Sequence, residues 1–191
     1  MNFQQYQSQI KAACEPLDHR ERVALCLMCC NRLAPLYFKF STTEHWGNPE
    51  TLRQVRELAG KRLVGNRSIP DSLHSQIHMV IPDTEDFGHA LGSYALNASA
   101  AHADLLDLLL DDKFELVLQV LQGCYDSVDF YVQERLDPEG KGGITEQQIM
   151  SHAAMCTEVD WQFGAVQAVK GNTDLVNLVR KSGHKPIFEI V

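Results

Sequence analysis

Signals that start a helix recur along this chain and signals for a strand hardly occur, which confines it to a helical fold. Asp18 with Glu21, Asp112 with Glu115, and Thr145 with Gln148 each have the spacing of a capping box. In that motif a side chain at the helix start and another three residues on satisfy two orphan backbone N–H groups reciprocally. Ile144 and Ile149 flank the third box as a hydrophobic staple. Asn48-Pro49 adds a capping residue followed by proline at the first helical position.

Read between these signals, apolar residues recur at helical spacing. Helices are expected over 2–14, from 18 to about 33, and over 49–67, 70–80, 93–111, 113–136, 145–170 and 173–182. Pro35 disfavours helical geometry at Ala34 and cannot donate to the carbonyl of Asn31, so a kink or restart is expected there. Asp83 reads as the cap of a segment that Gly88 and Gly92 interrupt. The Asp112/Glu115 box sets two long helices back to back across a tight turn. In the second, Phe114, Val117, Leu121, Cys124, Val128 and Tyr131 form a bundle seam.

The fold class is therefore all-α: a single domain, 1–191, built as a mostly antiparallel bundle of six to eight helices with an extended C-terminal tail. Residues 1–16 hold an N-terminal helix, 137–143 (DPEGKGG) a flexible loop, and 184–191 the tail. Pro186 and the β-branched residues of PIFEIV oppose helix, while its apolar side chains call for cover. That cover is a groove of the chain's own bundle, or of a second copy in a homodimer.

At 45% hydrophobic and 22% charged residues the chain has the composition of a soluble globular protein. No unbroken apolar stretch reaches the roughly 20 residues that span a bilayer, and no membrane partner is expected. MNFQQYQSQIK lacks the pattern of a secretory signal, so the six cysteines are expected reduced in a cytoplasm. The net charge of −8 is unevenly spread: residues 1–70 carry ten Lys/Arg against six Asp/Glu, and residues 71–160 three against seventeen. Basic and acidic thirds that pack together balance most of this. An anion- or nucleic-acid-binding role for the basic helix 49–67 would need Arg53, Arg56, Lys61, Arg62 and Arg67 on one face, and the helical wheel spreads them.

VALCLMCC, residues 23–30, puts Cys26, Cys29 and Cys30 on one helix face. Structural zinc sites usually draw paired cysteines from tight turns and need a second pair, which is missing here. A redox pair wants the helix N-terminus, and these lie well past it. They are expected to be core.

Four other residues form the candidate binding or acid–base site. His152, Cys156 and Asp160 follow one stripe or its edge on helix 145–170, and His102 lies on the apolar face of helix 93–111. If the two helices faced each other, the four would make a buried polar site, for metal or for an enzyme. The competing reading is that each histidine bonds a local partner and fills space. A di-iron bundle needs two Glu-x-x-His pairs and there are none; Asp86-x-x-His89 is single. Nucleotide-binding loops, nucleophile elbows and HExxH are absent too, so neither a cofactor nor a metal is expected.

The apolar, Cys-rich helix running into CNRLAPLYFKF, the stretch IPDTEDF before an alanine-rich helix, and EVDWQF late in the chain together carry a resemblance. The chain resembles the YjaG-like family, small bacterial proteins classed as a domain of unknown function, from about residue 17 onward. The resemblance implies a cytoplasmic, all-α bacterial protein and brings no reaction or site residues. The leading expectation is thus a non-enzymatic protein that binds a partner or a small ligand.

Overall fold

The longest helix carries the most apolar stretch, and five other helices pack around it. The computed structural model describes residues 1–65, 68–87, 90–183 and 185–189, apart from the side chain of Asp71. Helix α1 is Phe3–Cys14 and α2 is His19–Glu44. They are followed by α3 (Pro49–Leu63), α4 (Asp71–His78), α5 (Ala90–Leu110) and α6 (Phe114–Leu136). The chain closes with α7 (Glu146–Ser151), α8 (Ala153–Val169) and α9 (Leu175–Ser182). No strand occurs among the described residues.

Every residue from Val23 to Leu33 is buried, on all faces of α2. A helix apolar all round must be surrounded, and α2 packs against α3, α5, α6, α8 and α9. By length and composition it is the one described helix able to cross a bilayer, yet 83% of its most apolar window lies inside the bundle. The small residues Ala95, Ala98, Ser99 and Ala101 of α5 are buried in the same core, and the Cys30 thiol donates to the Ala101 carbonyl at 3.4 Å. Across α5 and α6, a Cβ at Gly123 would stand 3.4 Å from the Asn97 carbonyl oxygen, so these two helices also run close.

The cysteines of the apolar stretch are core, as expected. Burial holds the Cys26, Cys30 and Cys124 thiols well above their ordinary value. Cys29 is raised too, although its hydrogen bond with Cys124 pulls against burial. A thiol that stays protonated is neither a nucleophile nor a metal ligand.

Four local expectations are corrected. Asp112 does not cap α6, which opens from Lys113 without a side-chain capping bond. Its carboxylate is drawn away to α2, where it accepts from Arg22 at 3.2 Å and lies 3.1 Å from His19 Nδ1. The tight turn remains, closed by the Lys113 N–H donating to the Asp111 carbonyl at 2.6 Å. The expected helix 145–170 is two helices, broken at His152, whose backbone is extended (φ −69, ψ 139). That break brings the count to nine among the described residues. Pro35 causes no restart, since α2 continues through it to Glu44. Gly92 lies inside α5 rather than interrupting it: a Cβ there would meet the Phe87 carbonyl oxygen at 2.7 Å. Gly88 lies outside the described residues, and Asp83 closes a turn by accepting from the Glu85 N–H at 2.9 Å.

The C-terminal segment lies on its own bundle. After α9 the chain turns at Gly183 (φ 68), and no helix forms over 185–189. Ile187 and Phe188 are half-buried against the core; Ile190 and Val191 lie outside the described residues.

Candidate functional site

The four residues singled out from the sequence are not brought to one place with a common exposure. His102 is fully buried in α5, where its Nδ1 donates to the Ala98 carbonyl at 2.6 Å and its Nε2 has no partner among the described residues. Burial beside the Arg56 guanidinium pushes this imidazole down to about 3, so it stays neutral. His152 sits at the junction of α7 and α8, and its ring nitrogen accepts from the Ala154 N–H at 3.2 Å, a local capping role. Cys156 and Asp160 are exposed. Among the described residues no three His, Cys, Asp or Glu side chains gather as a metal site. The basic helix is likewise divided. Arg53 is engaged by Glu50 and Glu57, Arg62 donates to the Leu109 carbonyl at 3.2 Å, and Arg67 lies outside the described residues.

The structure gathers a different set. Arg32, from the middle of α2, donates to Glu158 of α8 at 2.7 Å, with side chains 10% and 1% exposed. Its guanidinium also lies over the Trp161 ring, 3.7 Å from the centroid. The second Glu158 oxygen accepts from Gln162 Nε2 at 2.8 Å; that amide also donates to the Leu121 carbonyl at 3.1 Å. Its oxygen accepts from the Tyr6 hydroxyl of α1 at 2.6 Å. Four helices, α1, α2, α6 and α8, are thereby tied by one chain of polar contacts. Burial pushes the Glu158 carboxyl up while Arg32 and Gln162 pull against it. Such a network rigidifies a core when its members are satisfied. Here nearly all are, and the network is closed to solvent.

Next to it the C-terminal segment forms one wall of an open cleft of about 370 Å³. The Ile187 N–H donates to the Arg32 backbone carbonyl at 3.2 Å. The Phe188 ring stacks on Tyr131 at 4.3 Å and meets Tyr94 edge-on at 5.1 Å. The Tyr94 hydroxyl donates to Glu134 at 2.5 Å, and Arg135 lies 4.5 Å over the Tyr131 ring. Lys39 completes the rim.

Compared with known proteins, residues 9–184 match a family model described as a protein of unknown function, DUF416. The chain belongs to the DUF416 family. It is similar to the crystal structure of a DUF416 family protein from Shewanella baltica OS155, with a TM-score of 0.78 and 18% identity. That likeness covers 90% of this chain and 91% of the other, and at this identity it is a likeness of fold. No curated protein matches the chain. The family resemblance read from the sequence is thus borne out.

In this DUF416 chain the stretches that carried the resemblance meet in space. CNRLAPLYFKF supplies Arg32 and Phe40; EVDWQF supplies Glu158, Trp161 and Gln162; IPDTEDF supplies Phe87, whose ring meets Phe40 at 4.9 Å. Sequence reasoning passed over Glu158 and Gln162 because they stood among apolar neighbours. Their spacing of four, with Arg32 as an unexplained charge in an apolar helix, was the available signal.

Proposed function

We propose that this protein works in the cytoplasm as a binding protein without chemistry of its own, taking its ligand in the cleft between α2, α5, α6 and the C-terminal segment. The observation that carries this reading is the contrast between the two neighbouring sites. In the closed network Glu158 and Gln162 are committed to hydrogen bonds within the fold. The open cleft instead presents aromatic rings from Tyr94, Tyr131 and Phe188, with Lys39, Glu134 and Arg135 around them. An apolar concavity with a few polar groups at its edge is the usual form of a small-ligand site. The six free thiols support the cytoplasmic placement.

The test uses anilinonaphthalene sulfonate, a ring system with one anionic group, as the probe. The folded protein should bind it saturably at one site, and Tyr131→Ala and Phe188→Ala should each weaken binding by about tenfold. A folded protein with no saturable fluorescence, or variants that bind as the parent does, would refute this reading.

A further inference from the structure

Apart from the aromatic cleft, a groove of about 490 Å³ runs between α2, α3 and α9. Its floor and walls come from Leu27 and Asn31 of α2, Arg56 of α3 and Val179 of α9. Arg53 and Glu57 stand at its rim, already engaged with each other.

Two polar side chains in this groove are unspent. Asn31 is 5% exposed and lines the groove, and its side-chain amide makes no hydrogen bond among the described residues. Its amide is not sealed from water, so it can pair with what enters the groove. Arg56 is half-buried, and its only hydrogen bond among the described residues is from Nε to the Leu52 carbonyl at a long 3.4 Å. No carboxylate pairs with it among the described residues. Behind it stand the Cys30 thiol and the neutral His102 ring, and the nearby charges of Glu57 and Arg53 act on it in opposite senses. The terminal guanidinium nitrogens of Arg56 are therefore free donors beside a free amide, in a cleft with two aliphatic walls.

We infer that this groove is a binding site for a small monocarboxylic acid, its carboxylate held by Arg56 and Asn31 and its aliphatic body lying on Leu27 and Val179. A guanidinium fork matches a planar carboxylate in two parallel hydrogen bonds, and the Asn31 amide supplies a third donor. With Arg53 and Glu57 paired at the rim, Arg56 leaves one net positive charge in the groove, which suits one negative charge. An inorganic phosphate has no aliphatic body for Leu27 and Val179 to hold. The site is independent of the aromatic cleft, which shares none of these residues.

The experiment is a titration of the full chain, followed by NMR of the Asn31 side-chain amide and the Arg56 Nε–H. Butyrate should shift both signals saturably, and butyramide and inorganic phosphate should not. Arg56→Gln and Asn31→Ala should each weaken butyrate binding by at least about tenfold, while Lys61→Gln, on the same helix but outside the groove, leaves it unchanged. No saturable shift with butyrate in the parent protein overturns the site, whatever the variants do. A shift retained in Arg56→Gln or Asn31→Ala overturns the assignment of the donors. Equal binding of phosphate or butyramide overturns the carboxylate class.

Discussion

The backbone N–H of Ile187 reaches across to the carbonyl of Arg32, 3.2 Å away and three residues before Pro35. A proline inside a helix removes the donor owed to the carbonyl four residues earlier and crowds that turn. Here the C-terminal segment meets the helix at that weakened turn. Its anchoring is then completed by Phe188 against Tyr131 and Tyr94.

Removing residues 186–191 should lower the melting temperature. Ile187 and Phe188 are half-buried, and their loss should cost about 2–3 kcal/mol, or roughly 5–10 °C for a chain of this size. Phe188→Ala alone should give about half of that shift. A truncated chain that melts with the full-length protein, read by calorimetry, would show that the segment contributes nothing.

The Arg32–Glu158 pair gives a second prediction. Replacing one partner leaves the other charge buried without compensation, a loss of about 3–5 kcal/mol. Arg32→Met and Glu158→Leu should each reach that range in urea denaturation. The double variant should lose far less than the sum, with a coupling of about 2 kcal/mol or more. Strict additivity of the two single losses would mean that the pair is not coupled in the folded protein.

How far the sequence could be read follows from the same helix. Val23 to Cys30 was legible as core because a run that is apolar on every face has only one place to go. The site on α8 was not legible, and the reason is a matter of register. A continuous helix from Thr145 puts Ile149, His152, Cys156, Val159 and Phe163 on one stripe. The extended backbone at His152 restarts the helix, and the buried stripe becomes Met155, Glu158, Val159, Gln162, Ala165, Val166 and Val169. Two of those are polar, so hydropathy alone hid them. Their partners, Arg32 and Tyr6, lie 126 and 156 residues away in sequence, beyond the reach of any local pattern. Asp112 was misread for a related reason: long-range charges on α2 won its carboxylate from the local amides.

The third prediction concerns His102. Burial beside Arg56 takes its imidazole from an ordinary 6.5 down to about 3, against the pull of its bond to Ala98. Between those values the unfolded chain binds a proton that the folded chain refuses. Stability must therefore rise with pH across that window, and be lost as pH falls through it. Asp104 acts in the opposite sense: burial, with Asp107 nearby, raises its carboxyl from 3.8 to about 6. Over that range the folded chain keeps a proton that the unfolded chain has released, so acid favours folding there and masks part of the histidine's effect. Comparing the parent with His102→Gln removes the masking, because Asp104 is common to both and glutamine can still donate to the Ala98 carbonyl. At about 1.4 kcal/mol per pH unit, the parent should lose roughly 2–3 kcal/mol relative to the variant between about pH 7.5 and 4.5. Urea denaturation of both proteins at the two pH values measures this directly. A stability difference that does not move with pH would mean that His102 takes up its proton in the folded state as freely as in the unfolded one.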